Sequence, residues 1–249
     1  DHDNALALRN AFVVGMSLMG TWSVALLVRL VLPRHLGPSV FGEYAFAEAL
    51  AITGFAFVGF GLDMYIQKEI PRRPEHASDF YGGTQVVRLF VGAAVVVAVG
   101  AVAHRSGHSR EVVLAAMTFG LAQPALYAAN TCATLLYAAR RVGRLSVLNI
   151  TTKLLWAGAV VAALVGRAHL WAYAAAAALS ELVRFVALFA MARRIVGLEV
   201  RFDFGETFRV LVKSAPYYVN LIAIVLYSKI DVTIMGFLLP NRELGFYGA

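Results

Sequence analysis

The sequence predicts an all-α polytopic membrane protein, built as a bundle of long apolar helices. Three observations lead to this fold class. Hydrophobic residues make up 60% of the 249 positions, charged residues make up only 15%, and the mean hydropathy is +0.70. A soluble domain is about half apolar and about a quarter charged, so the composition excludes the soluble classes.

Seven stretches are long and apolar enough to cross a membrane. A spanning helix needs about 20 apolar residues, because every backbone polar group must be satisfied within the segment. The predicted spans cover residues 10–32, 40–66, 81–103, 112–138, 145–166, 170–192 and 214–239. The second, fourth and seventh are long enough to be tilted or kinked, with Pro124 and Pro216 as expected kink points.

The basic residues in the connections predict the orientation, because cytoplasmic loops carry the excess of Lys and Arg. Twelve lie on one side: Arg9, Lys68, Arg72, Arg73, Arg140, Arg141, Arg144, Arg193, Arg194, Arg201, Arg209 and Lys213. Five lie on the other: Arg34, Arg105, Arg110, Arg167 and Arg242. We therefore expect a cytoplasmic N-terminus in the inner (plasma) membrane. The net charge of +7 then faces anionic lipid headgroups, and nucleic acid is not expected as a partner.

One connection is long enough to hold structure of its own. Residues 193–213 include "VRFDFGETFRVLVK", which mixes three phenylalanines with three basic residues. Two alternatives fit this pattern: a helix lying in the headgroup plane, or a plain basic linker.

The chain offers little for catalysis. The predicted outer connections are about 7, 8 and 3 residues long, too short for a catalytic lobe. No Gly-Lys dipeptide occurs, so the phosphate-cradling loop of ATP-driven pumps is not expected. Cys132 is the only cysteine and has no disulfide partner within the chain. We expect a protein that is not an enzyme, with no cofactor and no metal, and whose first span serves as its own insertion signal. The function that remains is transport of a solute across the membrane, driven by an ion or by the solute's own gradient.

Polar side chains at membrane depth are the default functional candidates, because they are costly there unless they face protein or water. The fourth span carries five on one helix face: Gln123, Tyr127, Asn130, Thr134 and Tyr137. The fifth has Asn149, Thr152, Lys153 and Trp156, and the seventh has Tyr217, Asn220, Tyr227 and Asp231. These stripes predict a water-filled cavity suited to sugar hydroxyls; the alternative is hydrogen bonding between helices.

Charges within the spans balance. The cations are Arg29, Arg88, Lys153, Arg184 and Lys229, and the acids are Glu43, Glu48, Asp63, Glu181 and Asp231. Glu181 and Arg184 are three residues apart on one helix and are expected to pair. Arg29, Arg88 and Asp63 lie near a predicted interface, where snorkelling and ligand contact are the alternatives.

Two stretches share a pattern that indicates an internal repeat. "LPRHLGPSVFGEYAFA" follows the first span and "LLPNRELGFYGA" follows the seventh. Each has Leu-Pro at the exit of a span and then Gly-x-Tyr, at Gly42 and Tyr44 and at Gly245 and Tyr247. The two glycines are 203 residues apart, so the seventh span is expected to begin a repeat of the first.

These stretches, with "GFGLDMYIQKEI" and "SAPYYVNLIAIVLYSKIDVTIMGFLLP", resemble the polysaccharide and O-antigen flippases of the Wzx type. That family lies in the superfamily of multidrug, oligosaccharidyl-lipid and polysaccharide exporters, and the resemblance covers the whole chain. It implies two lobes of six or more helices that flip a polyprenyl-diphosphate-linked oligosaccharide to the outer leaflet by alternating access. The implied partners are that lipid-linked oligosaccharide, membrane lipid and a coupling ion.

The resemblance also implies a division of the chain. Residues 1–196 would form the N-terminal six-helix lobe, and 197–249 an amphipathic linker and the first helix of a second lobe. The chain is then expected to be a fragment of a protein of about 400–450 residues, if the second half matches the first.

The resemblance implies a cavity between the lobes that binds diphosphate and sugar through scattered basic residues. Arg29 and Lys153 are the positions carried over, and Asp231 in "KID" matches a recurrent acid, as a structural cap or a counter-ion partner. With the polar stripes, the candidate binding residues are Arg29, Gln123, Tyr127, Asn130, Asn149, Lys153, Glu181, Arg184, Asn220 and Asp231. The alternative function is a cation- or proton-coupled multidrug exporter of the same superfamily; an enzyme or a membrane scaffold ranks lower.

Overall fold

The computed structural model describes residues 2–70, 76–139 and 142–248, without the side chains of residues 2–11, 13, 138 and 142. Within these residues the chain is helical and no strand occurs. The helices are α1 (His2–Phe55), α2 (Leu62–Glu69), α3 (Ala77–Arg105), α4 (Arg110–Ala138), α5 (Val142–Val165), α6 (Leu170–Ile195), α7 (Phe204–Leu238) and α8 (Asn241–Gly248). Six of them are long and apolar enough to cross a membrane. This confirms the all-α polytopic bundle.

Some residues used for the predicted orientation fall outside this description. Arg72, Arg73, Arg140 and Arg141 belong to the undescribed segments, and the side chain of Arg9 is likewise outside it. The orientation therefore stays a prediction.

Helix α1 contains both of the first two predicted spans, with no separate loop between them. Its helical conformation is interrupted at Gly37, where φ is 74° and ψ is 163°, a backbone geometry that favours glycine. Ser17 and Glu48 line the same cavity, although about 31 residues of straight helix would separate them by about 46 Å. The chain therefore folds back at Gly37, and α1 contributes two antiparallel segments to the bundle.

The second segment of α1 is shorter than predicted. It ends at Phe55 and is followed by a one-turn 3₁₀ helix, Ala56–Val58. Phe60 and Gly61 then adopt positive φ values of 53° and 65° before α2 begins. The prediction of a continuous span to residue 66 was wrong because the positive-φ pair Phe60 and Gly61 interrupts the helical backbone.

Arg88 of α3 holds this break in place. Its side chain is 1% exposed, and its Nη2 donates to the carbonyl oxygen of Gly59 at 3.1 Å. Its Nη1 donates to the Thr131 hydroxyl at 3.0 Å, and an Asp63 carboxylate oxygen lies 3.9 Å from Nη2. Irregular backbone at membrane depth is tolerated where protein groups satisfy it. Both predicted alternatives for Arg88, snorkelling and ligand contact, were wrong, because the guanidinium is enclosed by protein.

The remaining long helices follow the predicted spans to within a few residues, apart from α7. That helix has 35 residues and begins at Phe204, ten before the predicted start. At 1.5 Å per residue it is about 52 Å long, longer than the roughly 30 Å hydrocarbon core. Residues 204–213 are therefore the first turns of α7 and not a plain linker, while residues 196–203 form a non-helical connection.

The core is divided along α4. Its first half contributes Val112 and Phe119 to a buried cluster with Phe46 of α1. Its second half contributes Leu136 to another cluster, with Phe80 of α3. Helix α6 packs along α4 and joins both clusters. This arrangement leaves the folded-back α1 beside α5 and α7, and the candidate site lies there.

Candidate functional site

Two adjoining cavities lie beside the fold-back of α1. The first cavity has a volume of about 400 Å³ and is rich in polar side chains, among them Ser17, Asn149, Thr152, Lys153, Glu181 and Arg184. The second cavity has a volume of about 620 Å³ and joins α1 to α5 and α7. They share part of their lining, namely Trp22, Ala25, Tyr44, Glu48, Lys153 and Trp156. We treat them as two parts of one candidate site.

Arg184 of α6 organises the polar wall of the first cavity. Its Nη1 donates to Glu181 Oε2 at 3.1 Å, which confirms the predicted pair. Its Nε donates to Asn149 Oδ1 of α5 at 3.3 Å, and its Nη2 donates to Asn130 Oδ1 of α4 at 3.1 Å. Four candidate residues from three helices are thus brought together at one guanidinium. Its donors fix the Oδ1 atoms of Asn130 and Asn149 as hydrogen-bond acceptors.

Lys153 lies at the boundary between the two cavities. It is one helical turn beyond Asn149 on α5, and its Nζ is 3.9 Å from the centroid of the Trp156 ring. A cation over an indole face is attracted by the ring quadrupole. This contact orients the ammonium group along the cavity wall without neutralising its charge.

The second cavity has an excess of positive charge. Its lining includes Arg29 of α1, Lys153 of α5 and Lys229 of α7, and among the described residues that line it Glu48 is the only acid. Lys229 Nζ lies 2.9 Å from Glu48 Oε2. The charges that balance over the whole set of spans are therefore locally unbalanced here, with three cations to one carboxylate. An anionic ligand is the chemistry that this lining favours.

The rest of the second cavity lining is largely apolar. It is formed by Met19, Leu26, Val28, Leu32, Phe41 and Val232. The two parts of the site thus differ in chemistry: the first offers amide and hydroxyl groups, while the second combines cations with hydrocarbon.

Two candidates on α4 lie apart from these cavities. Tyr127 is buried, and its hydroxyl donates to the Phe55 carbonyl at the break after α1, at 2.9 Å. Gln123 is half-buried one turn earlier on α4. Of the predicted stripe on this helix, Tyr137 lines the first cavity, and Asn130 reaches it through Arg184. The polar residues on this face of α4 therefore have two roles. Tyr127 stabilises the break after α1, whereas Tyr137 lines the first cavity and Asn130 supports its wall through Arg184.

The two candidates on α7 are also placed apart. Asn220 is exposed, with its Nδ2 3.6 Å from Met64 Sδ of α2. Asp231 accepts a hydrogen bond from the Tyr247 hydroxyl of α8 at 2.6 Å. That bond to a carboxylate raises the pKa of Tyr247 above its ordinary value, because it stabilises the protonated phenol. Two roles were considered for Asp231, a structural cap and a counter-ion partner. The bond to Tyr247 corresponds to the structural cap, because it joins α7 to α8.

Sequence reasoning did not select Glu48, Lys229, Trp22 or Tyr44 as candidates, although all four line the second cavity. Glu48 and Lys229 are separated by 181 residues, so no local spacing connects them. The available signal was their charge at membrane depth, which they share with the structural residue Arg88.

The comparisons with known proteins complete the description. No curated protein and no solved structure matches the chain. The family described as polysaccharide biosynthesis protein matches residues 7–249, nearly the entire length, which confirms the resemblance based on the motifs around Gly42 and Gly245. With this match and six long apolar helices, the chain belongs to the polysaccharide biosynthesis protein family of membrane proteins.

Proposed function

We propose that the protein flips a polyprenyl-diphosphate-linked oligosaccharide from the cytoplasmic to the outer leaflet for cell-surface polysaccharide synthesis, by alternating access. The observation that carries the proposal is the second cavity, whose described lining contains Arg29, Lys153 and Lys229 but one carboxylate, that of Glu48. A diphosphate supplies the negative charge that such a lining needs. Arg and Lys are the residues that proteins use for phosphate.

The first cavity suits the sugar portion of the same ligand. Asn149, Thr152 and Ser146 supply amide and hydroxyl groups, and Trp156 supplies an aromatic face. Hydroxyl-rich ligands need many donors and acceptors at once, and these side chains provide both. The apolar lining of the second cavity is compatible with the first isoprene units of the lipid carrier.

The proposal includes the position of the protein in the cell. It would lie in the inner (plasma) membrane with its N-terminus in the cytoplasm, as the distribution of basic residues favours. Residues 1–196 would act as one lobe, with residues 197–249 as the linker and first helix of a second. Transport, and no chemical reaction, would be the activity of the site.

Native mass spectrometry of the gently purified full-length protein tests this function. We expect a co-purifying polyprenyl-diphosphate with a ladder of sugar masses, since the proposed ligand has both an anionic and a hydroxyl-rich part. Bulk phospholipid alone, together with cationic drugs that raise the thermal midpoint, would instead identify a multidrug exporter of the same superfamily.

A further inference from the structure

Glu48 is the residue of the second cavity that the proposed diphosphate does not explain. Its carboxylate is only 24% exposed and lies in hydrogen-bond contact with Lys229, whose side chain is 21% exposed. An acid in an anion site repels the ligand, because like charges at short range are unfavourable. A carboxylate at membrane depth is also costly unless it is paired. The repulsion of the ligand and the cost of burying a carboxylate both indicate that Glu48 has a role other than direct ligand binding.

The partner of Glu48 lies on a different helix. Glu48 belongs to the second segment of α1 and Lys229 to α7, 181 residues later. Among the described residues, one further polar contact joins these helices nearby, between the hydroxyls of Thr53 and Thr233 at 3.0 Å. The ion pair is thus one of a small number of directional bonds that hold α7 against α1 at the depth of the cavities.

An anion that enters the second cavity meets the ammonium group of Lys229, with which Glu48 pairs. Lys229 has one charge, so a diphosphate that binds it weakens its pair with Glu48. Removing one partner of a half-buried ion pair leaves the other partly uncompensated. Binding of the anion and the α1–α7 contact are therefore energetically opposed.

We infer that Glu48 is an internal counter-ion that competes with the anionic ligand for Lys229, and that ligand binding thereby loosens the contact between α1 and α7. The inference rests on the proposed function, because it assumes an anion in the second cavity. It assigns Glu48 a positioning role, whose effect on the ligand passes through Lys229. A ligand can shift a conformational equilibrium only through a difference in affinity for the two states, and this competition supplies such a difference.

The expected consequence is that Glu48 weakens anion binding. Glu48→Gln keeps the size and hydrogen-bonding capacity of the side chain but removes its charge, which frees Lys229 for the ligand. We expect Glu48→Gln to bind inorganic pyrophosphate at least about fivefold more tightly than the unmodified protein, the lower end of typical coupling effects.

Intrinsic fluorescence of the full-length protein in nanodiscs measures this binding, because Trp22 and Trp156 both line the second cavity. Pyrophosphate is titrated into the unmodified protein, Glu48→Gln, Lys229→Gln and the double variant. In the Lys229→Gln background only the direct repulsion between Glu48 and the anion remains, so the effect of Glu48→Gln should be clearly smaller there, because coupled residues are non-additive. Glu43→Gln is the matched control, because Glu43 lies on the same helix segment but accepts a hydrogen bond from Asn241 of α8 at 3.0 Å. The Glu43→Gln variant should bind pyrophosphate with the same affinity as the unmodified protein.

The outcomes separate the inference from the proposed function. Equal affinities for the unmodified protein and Glu48→Gln, or a Glu48→Gln effect of the same size in the Lys229→Gln background, would overturn the inference while leaving an anion site. No pyrophosphate binding by any folded variant would overturn both. A gain in affinity that is larger in the background that contains Lys229 would support the counter-ion role.

Discussion

Gly42 and Gly245 lie at a reciprocal contact between α1 and α8. The space beside Cα of Gly42 is occupied by the carbonyl oxygen of Asn241, four residues before Gly245, and the space beside Gly245 by the carbonyl oxygen of Pro38, four residues before Gly42. Such exchange of equivalent contacts is what two-fold symmetry produces. The two copies of the repeated pattern thus pack on each other, as expected if α8 begins an element equivalent to the second segment of α1.

Alanine at either glycine should destabilise the folded protein. A methyl group would overlap a backbone carbonyl, which cannot rotate away as a side chain could, and overpacking typically costs about 1–3 kcal/mol. The thermal unfolding midpoint in nanodiscs measures the effect of Gly42→Ala and Gly245→Ala. At Gly158 of α5 nothing lies within 4 Å of an added methyl group, so Gly158→Ala should be neutral or stabilising by up to about 1 kcal/mol. Equal midpoints for all three variants would contradict the close crossing.

Replacing Arg88 should destabilise the non-helical backbone between α1 and α2. Arg88→Met removes the donors to Gly59 and Thr131 and leaves Asp63 without its cation, a change of the kind that costs about 3–5 kcal/mol. Thermal unfolding in nanodiscs should therefore show a lower midpoint for Arg88→Met than for the unmodified protein. Arg105→Met, at the exposed end of the same helix, serves as the control. An unchanged midpoint in Arg88→Met would show that the break is stabilised by packing alone.

Arg29→Ala and Lys153→Ala should each lower transport in the full-length protein without reducing the amount folded in the membrane. A hydrogen bond to a charged group contributes about 1.5–3 kcal/mol, so the apparent affinity for the lipid-linked substrate should fall roughly tenfold or more. Export of cell-surface polysaccharide, normalised to the quantity of membrane protein, provides the measurement. Arg105→Ala should export normally. Normal export in Arg29→Ala and Lys153→Ala would remove these residues from the candidate site.

Cysteine labelling tests the predicted orientation. Ser106→Cys lies in the connection between α3 and α4 and should react with a membrane-impermeant maleimide added outside intact cells. Val200→Cys precedes α7 and should react only after the membrane is opened. Cys132 is buried and contributes little background. Labelling in the reverse order would invert the topology.

The sequence was sufficient to place most of the long helices, because apolar length alone determines which segments can span a membrane. It was insufficient at Phe60 and Gly61, where contacts from α3 and α4 stabilise a break that hydropathy does not reveal. The site was predicted in part for a related reason. The spacing of Glu181 and Arg184 identified a pair on one helix, whereas Glu48 and Lys229 become neighbours only through the fold-back at Gly37 and the packing of α7.

The separation of Glu48 and Lys229 along the chain has a consequence for biosynthesis. The two residues are 181 positions apart, and a ribosome adds about 5–20 residues per second. Glu48 therefore enters the bilayer about 10–35 seconds before its counter-ion is made. During that interval the carboxylate depends on the neighbouring polar side chains of α1 and on water, so the nascent chain passes through a stage at which chaperones and proteases can recognise it. Variants that lack Lys229 would prolong this stage indefinitely, and their steady-state amount in the cell would report the delay.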